Sequence, residues 1–135
     1  KPLLGICLGL QLLFSESEES PGINGLDLIK GKVKKFKKDE VEKIPHMGWN
    51  NLKEIKSNPL LENIKRPRDF YFIHSYYVEI ENKNLIIAET NYGNRKFASL
   101  VRKKNIWGIQ PHPEKSSQKG LQLLKNFSEN VVSKS

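Results

Sequence analysis

The distribution of hydrophobic and polar positions predicts a short strand followed by a helix at the start of the chain. Residues 3–7 (LLGIC) form a continuous apolar run, which is typical of a strand that is buried on both faces. Gly9 interrupts this run, and residues 10–14 (LQLLF) then place apolar side chains at helical spacing. The acidic and turn-forming residues of 15–22 are expected to end the helix.

The remainder of the chain predicts several strands and a second helix, which together indicate an α/β layered sheet. The strongest strand pattern covers 70–80, which is rich in aromatic and β-branched residues and has an expected break at His74 and Ser75. From Ser116 onward, apolar residues at 121, 124, 127 and 131 have helical spacing. Further strands are predicted over 31–36, 84–90, 96–103 and 106–110, with a turn at 91–95.

Composition places this pattern in an ordinary globular domain. The 135 residues fit one domain, with 37% apolar and 28% charged residues. No apolar run approaches the length of a membrane span, and no secretory leader pattern is visible. The single cysteine excludes an intrachain disulfide and a cysteine-rich metal site, so a reducing cytoplasm is the expected location.

The net charge of +8 raises the question of nucleic-acid binding. Lysine occupies six of the nine positions in 30–38. Such a cluster is typical of a phosphate-binding stripe, and also of a solvated sheet edge, where lysine discourages edge-to-edge pairing. No zinc-finger spacing or aromatic RNA-binding motif accompanies it, so we favour the sheet edge and expect no nucleic-acid partner.

The chain begins within a strand pattern. It opens at Lys1, and its only methionine is Met47. Because domains seldom start inside a core strand, we expect residues 1–135 to be the C-terminal portion of a larger domain.

Cys7 lies between Gly5 and Gly9 at the predicted strand-to-helix turn. This arrangement is the cysteine version of the nucleophile elbow, in which small neighbours allow a sharp turn to expose the nucleophile. The helix N-terminus is expected to lower the pKa of the thiol, and the N–H of Leu8 points to where an oxyanion would form. The alternative is a buried structural cysteine, a common fate of a free thiol.

A thiol nucleophile requires a base, and His112 is the best candidate among three histidines. Glu114 follows two residues later, so in an extended segment its carboxylate can reach the imidazole and fix the tautomer. Alone, His112 reads as an ordinary surface-loop histidine. His46 and His74 lack a comparable carboxylate and are expected to line the site or pack at an interface. A metal site built from all three is disfavoured by their spacings.

Four segments carry a resemblance to a known family: GICLGLQLLF, IPHMGWNNL, FYFIHSYYV and GIQPHPEKS. The first and last resemble the nucleophile and histidine–glutamate motifs of class I (triad-type) glutamine amidotransferases. All four together resemble the glutaminase subunit of imidazole glycerol phosphate synthase, over nearly the whole chain. The resemblance implies a three-layer, flavodoxin-like mixed sheet with flanking helices, and it implies that the N-terminal strands are missing.

The resemblance also assigns roles to individual residues. It implies a catalytic triad of Cys7, His112 and Glu114, with Leu8 contributing to the oxyanion hole. It implies five residues beside the substrate glutamine: Gln11, Glu19, His74, Ser75 and Tyr76. It implies three residues at a partner interface: Met47, Trp49 and Asn50.

The implied reaction is hydrolysis of L-glutamine to glutamate and ammonia, without a metal or another cofactor. In the family, the ammonia passes to a (β/α)8-barrel cyclase subunit of a heterodimer that makes imidazole glycerol phosphate in histidine biosynthesis. Two departures stand out. Pro111 occupies the family's phenylalanine position, and the Pro-Gly-rich loop that supplies a second oxyanion donor is not present. We therefore expect the 135-residue piece alone to be inactive or weakly active.

Three other functions compete with this one. The nearest is a paralogous amidotransferase subunit that supplies ammonia to a sugar- or nucleotide-modifying synthase. A cysteine hydrolase of the same superfamily would react with broad electrophiles and not with a glutamine analogue. A non-catalytic binding module would keep its role after Cys7→Ala.

Overall fold

A computed structural model describes residues 1–135 as ten strands and two α-helices. Helix α1 spans Leu8–Leu12, and helix α2 spans Ser117–Asn126 and continues as a π-helical segment over Phe127–Val132. No helix has the length and apolar character needed to cross a membrane. The strands are β1 (Leu3–Ile6), β2 (Phe14–Ser17), β3 (Ile29–Lys35), β4 (His46–Asn51), β5 (Lys53–Glu54), β6 (Asp69–His74), β7 (Tyr76–Ile80), β8 (Ile86–Tyr92), β9 (Arg95–Lys103) and β10 (Ile106–Ile109).

The largest sheet has five strands in the order β1-β10-β9-β8-β5. Strands β1 and β10 are parallel, and the other pairs are antiparallel. Parallel pairing brings the carboxyl ends of β1 and β10 side by side, and the Cys7 N–H continues it by donating to the Ile109 carbonyl at 2.8 Å. The residues that follow these two strands therefore share one edge of the sheet.

The two faces of this sheet carry separate apolar clusters. Along β9, Phe97 and Leu100 belong to one cluster, whereas Ala98 and Val101 belong to the other. Helix α2 packs on the first through Leu123, and helix α1 packs on the second through Leu10. Helices thus cover both faces of a mixed sheet, which confirms the predicted α/β fold class.

Two smaller sheets, β2-β3-β7 and β4-β6, complete the fold. The break predicted at His74 and Ser75 is confirmed, because Ser75 alone separates β6 from β7. Its cause is a change of partner: β6 pairs with β4, whereas β7 pairs with β3. The chain therefore passes from one sheet to another next to the candidate nucleophile.

Two expectations for the start of the chain are wrong. The first helix ends at Leu12, and Phe14 begins β2 instead of continuing the helix. Phe14 is fully buried and pairs with Ile29 of β3, so a long-range contact overrides the local helical spacing. Strand β1 is not buried on both faces, because it lies at the end of its sheet and Leu3 is 42% exposed.

The lysine cluster was expected at a sheet edge, and this expectation is wrong. The cluster runs largely along β3, which is the central strand of its sheet. Backbone pairing on both sides leaves its alternating lysines pointing to solvent. Three of them meet acidic side chains at 2.7–3.2 Å: Lys30 with Asp27, Lys32 with Glu16 and Lys34 with Glu79. Such exposed pairs add little stability, but they offset the positive charge of this face.

Candidate active site

Cys7 occupies a sharp turn between β1 and α1. Its backbone angles are φ 53° and ψ −103°, a left-handed conformation that costs a non-glycine residue energy. A Cβ at Gly5 would lie 2.7 Å from the Gly9 carbonyl oxygen, so the close approach of strand and helix requires glycine there. A Cβ at Gly9 would meet nothing within 4 Å, so the expected need for a small residue applies only to Gly5.

The thiol of Cys7 is half-buried and contacts one backbone carbonyl and one side-chain amide. Its Sγ lies 3.8 Å from the Ile73 carbonyl oxygen and 3.6 Å from Nε2 of Gln110. Burial raises the pKa of the Cys7 thiol, and hydrogen bonds from the Leu8 backbone and the Gln110 amide oppose that rise without cancelling it. The expected lowering of the pKa by the helix is wrong, because α1 has only five residues and the thiol is desolvated.

His112 is held in a firmly bonded loop after β10. Its Nδ1 lies 3.0 Å from Oε2 of Glu114, the contact that their spacing in the sequence allows. The His112 N–H donates to the Tyr71 carbonyl at 2.9 Å. Ser116 Oγ donates to the His112 carbonyl at 2.6 Å and accepts from the Tyr71 N–H at 2.9 Å. The loop is thereby fixed to β6, with the imidazole Nε2 left as its free nitrogen.

The carboxylate of Glu114 is suited to orient an imidazole. Burial raises the pKa of Glu114, but the hydrogen bond with His112 and its own backbone N–H outweigh burial and lower the pKa overall. The group therefore stays ionised at neutral pH. It can fix the His112 tautomer with the proton on Nδ1 and stabilise the imidazolium that forms when Nε2 takes a proton.

The structure brings Cys7 and the His112–Glu114 pair to the same sheet edge. Both Glu114 and Lys115 are near enough to influence the thiol electrostatically, Glu114 raising its pKa and Lys115 lowering it. The thiol's hydrogen bonds go to Ile73 and Gln110 rather than to His112. Catalytic contacts of this kind commonly close only when substrate is bound.

Gln11 and Glu19 line one surface pocket of about 130 Å³, next to Leu8. The Gln11 Nε2 donates to the Tyr76 carbonyl at 3.1 Å and to Oε1 of Gln110 at 3.3 Å. The carboxylate of Glu19 is exposed, and its backbone N–H donates to Ser17 Oγ at 3.1 Å. The pocket thus offers an amide and a carboxylate beside the elbow.

Gln110 is a site residue that the sequence interpretation missed. It is fully buried, although glutamine is usually exposed, and its amide lies between Gln11 and Cys7. Its place follows from the pairing of Ile6 with Ile109, which sets the next residues, Cys7 and Gln110, side by side. The only sequence signal is a polar residue that ends an apolar strand just before the histidine loop.

His46 and His74 contact each other directly instead of joining His112. His46 Nδ1 lies 2.9 Å from His74 Nε2, and both rings are buried. Asn50 is half-buried, and its Nδ2 lies 3.2 Å from His46 Nε2. No group of three or more His, Cys, Asp or Glu side chains is arranged to hold a metal ion.

This buried pair should make the fold sensitive to mild acid. Burial lowers the pKa of His46 to about 4 and that of His74 to about 3, both below the ordinary value of 6.5. The unfolded chain therefore binds protons first, and stability present above pH 6.5 is lost as the pH falls. We expect a loss that approaches about 1.4 kcal/mol per histidine for each pH unit below 6.5 and that ends near the folded-state pKa of each histidine.

The measurement is denaturant unfolding at pH 8, 6 and 5, a range above the pKa values of the carboxylates. A His46→Phe variant should show roughly half the slope. Equal unfolding free energies at pH 8 and pH 5 in the unmodified chain would contradict neutral buried histidines.

Strand β4 presents a different surface to solvent. Met47 is 52% exposed and Trp49 is 55% exposed, on alternate residues of the strand. The Trp49 indole packs edge-on against Tyr71 of β6, with ring centroids 5.9 Å apart. Tyr71 in turn holds the His112 loop through its backbone, so this apolar surface lies close behind the candidate site.

Comparison with known proteins gives a consistent picture. Residues 1–131 match the family glutamine amidotransferase class-I. The imidazole glycerol phosphate synthase subunit HisH of Methanocaldococcus jannaschii is 53% identical over 128 residues, which cover 95% of this chain and 63% of that protein. The corresponding subunit of Pyrococcus furiosus is 51% identical over 127 residues, covering 94% and 64%. The chain thus spans less than two thirds of the length of these relatives.

Solved structures add support for the fold alone. A protein from Thermoplasma acidophilum gives a TM-score of 0.66 at 20% identity, covering 99% of this chain and 61% of that chain. A glutamine amidotransferase from Thermotoga maritima gives a TM-score of 0.54 at 17% identity, covering 98% and 49%. Taken with the elbow at Cys7 and the His112–Glu114 contact, the match over residues 1–131 shows that this chain belongs to the class I glutamine amidotransferase family.

Proposed function

We propose that the protein hydrolyses L-glutamine to glutamate and ammonia, with Cys7 as nucleophile. One observation carries the proposal: a cysteine in a strained left-handed turn lies at the same sheet edge as a hydrogen-bonded histidine–carboxylate pair. Strain of this kind persists only where the surrounding structure enforces it, and it exposes the nucleophile to substrate. Family membership supports the choice of glutamine as substrate.

The reaction proceeds through two acyl transfers. Nε2 of His112 takes the thiol proton, and the Cys7 thiolate attacks the side-chain amide carbon of glutamine, while the Leu8 N–H stabilises the oxyanion. His112 then returns the proton to the departing nitrogen, which leaves as ammonia and yields a glutamyl thioester. Water attacks the thioester, His112 takes its proton, and glutamate leaves as the thiol is restored.

Glu114 is the orienting carboxylate of this triad. Its contact with Nδ1 leaves Nε2 of His112 free for both proton transfers. The raised pKa of the thiol fits a nucleophile that stays protonated at rest and ionises when His112 and substrate close on it.

The pocket lined by Gln11 and Glu19 is suited to the polar end of glutamine. The Glu19 carboxylate can pair with the α-ammonium group, which is the only cationic group of the substrate. The backbone of His74, Ser75 and Tyr76 passes the thiol, since the Ile73 carbonyl contacts Sγ and the Tyr76 carbonyl holds Gln11. An extended substrate can lie along this segment.

The names of the relatives support a partner. Both are subunits of imidazole glycerol phosphate synthase, so we propose that this protein supplies ammonia to a (β/α)8-barrel cyclase subunit in a cytoplasmic heterodimer of histidine biosynthesis. The exposed side chains of Met47 and Trp49 on β4 form the proposed docking surface, with Asn50 beside them. Exposed aromatic and methionine side chains are the usual anchors of such interfaces.

The test is labelling with a diazo-ketone analogue of glutamine, read by mass spectrometry on the chain alone and mixed with the cyclase subunit. We expect one adduct, on Cys7, that L-glutamine prevents and L-asparagine does not. Reaction with iodoacetamide but not with the analogue would contradict glutamine as the substrate and favour a cysteine hydrolase.

Two variants refine the result. Glu19→Gln should slow analogue labelling while leaving iodoacetamide labelling unchanged, because it removes only the partner of the ammonium group. Trp49→Ala should remove any increase in the rate of analogue labelling that the cyclase subunit produces. It should leave the labelling rate of the chain alone unchanged. An unchanged response to the cyclase in Trp49→Ala would contradict the β4 surface as the docking site.

A further inference from the structure

A continuous chain of hydrogen bonds connects strand β4 with the nucleophile. It begins at Asn50, passes through His46 and His74 to the Tyr76 carbonyl, and reaches Gln11 on the other side of that carbonyl. From Gln11 it continues through Gln110 to Sγ of Cys7.

Two backbone carbonyls, those of Tyr76 and Asn91, determine which atoms donate and which accept in the hydrogen bonds of His46 and His74. The Tyr76 carbonyl can only accept, so His74 Nδ1, at 2.7 Å, carries a proton and His74 Nε2 is the acceptor. His46 therefore donates from Nδ1 to His74 and accepts at Nε2. Asn50 supplies that donor, and its Nδ2 is identified independently because it also donates to the Asn91 carbonyl at 2.8 Å. Every donor in this part is thus matched to an acceptor.

The same carbonyl fixes the two glutamines. Because the Tyr76 carbonyl accepts from Gln11 at 3.1 Å, the atom of Gln11 that faces it is Nε2. That Nε2 also lies 3.3 Å from Gln110, so Gln110 must present its Oε1 there. The amide of Gln110 then has only one orientation, with Nε2 directed at the sulfur of Cys7 at 3.6 Å.

We propose that Gln110 stabilises the thiolate form of Cys7, and that the chain running back through Gln11 and the Tyr76 carbonyl to the His46–His74 pair holds its amide in the donor orientation. An N–H directed at sulfur favours the thiolate over the thiol. An amide turned around would place a carbonyl oxygen against the developing negative charge and disfavour it. Gln110 contacts the reacting atom, whereas His46 and His74 are positioning residues.

Other groups around the thiol do not replace this donor. Leu8 contributes one backbone N–H, and the substrate's oxyanion requires the same donor during the reaction. Glu114 and Lys115 act on the thiol with opposite signs. His74 is neutral because of its burial, and the Ile73 carbonyl accepts from the thiol but offers nothing to a thiolate. Gln110 is therefore the side-chain donor that already faces the sulfur before His112 closes on it.

The inference rests on the proposed function in that Cys7 is the nucleophile, but its test measures the thiol itself. The rate of alkylation by iodoacetamide, followed between pH 6 and pH 11 by mass spectrometry, reports the pKa of this single cysteine. Gln110→Met keeps the shape of the side chain and removes the N–H. We expect it to raise the thiol pKa by about one unit and to slow alkylation at neutral pH about tenfold.

A matched control separates this effect from loss of a buried amide in general. Asn126 lies at the end of helix α2, away from the thiol, and is buried; its Nδ2 donates to the Leu60 and Glu62 carbonyls. Asn126→Leu should lower the thermal midpoint of unfolding and leave the thiol pKa unchanged. Equal thiol pKa values in Gln110→Met and the unmodified chain, or equal shifts in both variants, would overturn the role of Gln110.

The positioning part has its own pair of variants. His74→Leu removes the donor to the Tyr76 carbonyl and should raise the thiol pKa by about half a unit. His74→Asn places an amide N–H near the position of Nδ1 and should restore the original value. A His74→Leu variant that is folded and has an unchanged thiol pKa would overturn this part of the proposal.

Gln11→Leu provides a further measurement should Gln110→Met fail to fold, because Gln11 is only half-buried. It should raise the thiol pKa in the same direction, and no change would count against the proposal. If analogue labelling fails while the shifts appear, glutamine is the wrong substrate and the role of Gln110 stands. If analogue labelling succeeds while the thiol pKa does not shift, the role of Gln110 is wrong and the proposed function stands.

Discussion

Replacing Cys7 by serine is expected to reduce the proposed glutamine hydrolysis by about 10⁴-fold or more, or to the background rate, without unfolding the protein. The reason is chemical as well as geometric. A serine hydroxyl is far harder to ionise than a thiol, and the thiol's contacts at 3.6 and 3.8 Å suit the larger sulfur atom. The imidazole of His112 does not contact the nucleophile in the resting arrangement, so it cannot compensate by holding a hydroxyl ready. Ammonia release by the protein mixed with the proposed cyclase subunit measures the loss.

Cys7→Gly provides the informative control for stability. Glycine tolerates a φ of 53° without strain. The free energy of unfolding of this variant should therefore equal that of the unmodified chain or exceed it by up to about 1 kcal/mol. A more stable but inactive variant would show that the left-handed turn is retained for chemistry at the expense of stability. Where the unmodified protein mixed with the cyclase subunit releases ammonia well above the buffer background, residual hydrolysis within tenfold of it in Cys7→Ser would contradict covalent catalysis by this residue.

Gly120→Ala is expected to destabilise the fold by about 3 kcal/mol or more, although alanine is the better helix former. A Cβ at this position would lie 1.8 Å from the Pro113 carbonyl oxygen and 2.7 Å from its carbonyl carbon. Both atoms belong to the backbone, so no side chain can turn aside, and helix α2 must move away from the loop. That loop carries His112 and Glu114, so we also expect glutamine hydrolysis to fall in whatever fraction remains folded.

Gly9→Ala is the matched control, because it makes the same change within helix α1. A Cβ there would meet nothing within 4 Å, so this variant should be neutral or more stable by about 0.5–1 kcal/mol. Denaturant unfolding of both variants compares the two sites directly. A Gly120→Ala variant as stable as Gly9→Ala would show that α2 does not need its close approach to Pro113.

The elements predicted best from the sequence are those whose pattern extends over many consecutive residues. The break between β6 and β7 was predicted because a polar pair interrupts a strongly apolar run. The end of α1 and the start of β2 were not predicted, because burial of Phe14 depends on its pairing with Ile29 of β3, which lies 15 residues further along the chain. Local spacing at 10–14 is helical, and only the tertiary contact converts its last residue into strand.

The candidate site shows the same division. Cys7 between its glycines, and Glu114 two residues after His112, are short-range patterns whose chemistry can be inferred directly. Gln110 and the His46–His74 contact arise from strand register, which pairs Ile6 with Ile109 and His46 with His74. Sequence reasoning also misjudged the thiol pKa, because burial depends on the whole fold and here outweighs the short helix.

The single-residue gap at Ser75 has a mechanical consequence. Six consecutive residue pairs join β4 to β6, so backbone hydrogen bonds couple the position of one strand to that of the other. Ser75 follows β6 directly, and two carbonyls close to it in the chain, those of Ile73 and Tyr76, contact the thiol and Gln11. A displacement of β4 at Trp49 would therefore be passed through one strand pair to the carbonyl that contacts the thiol.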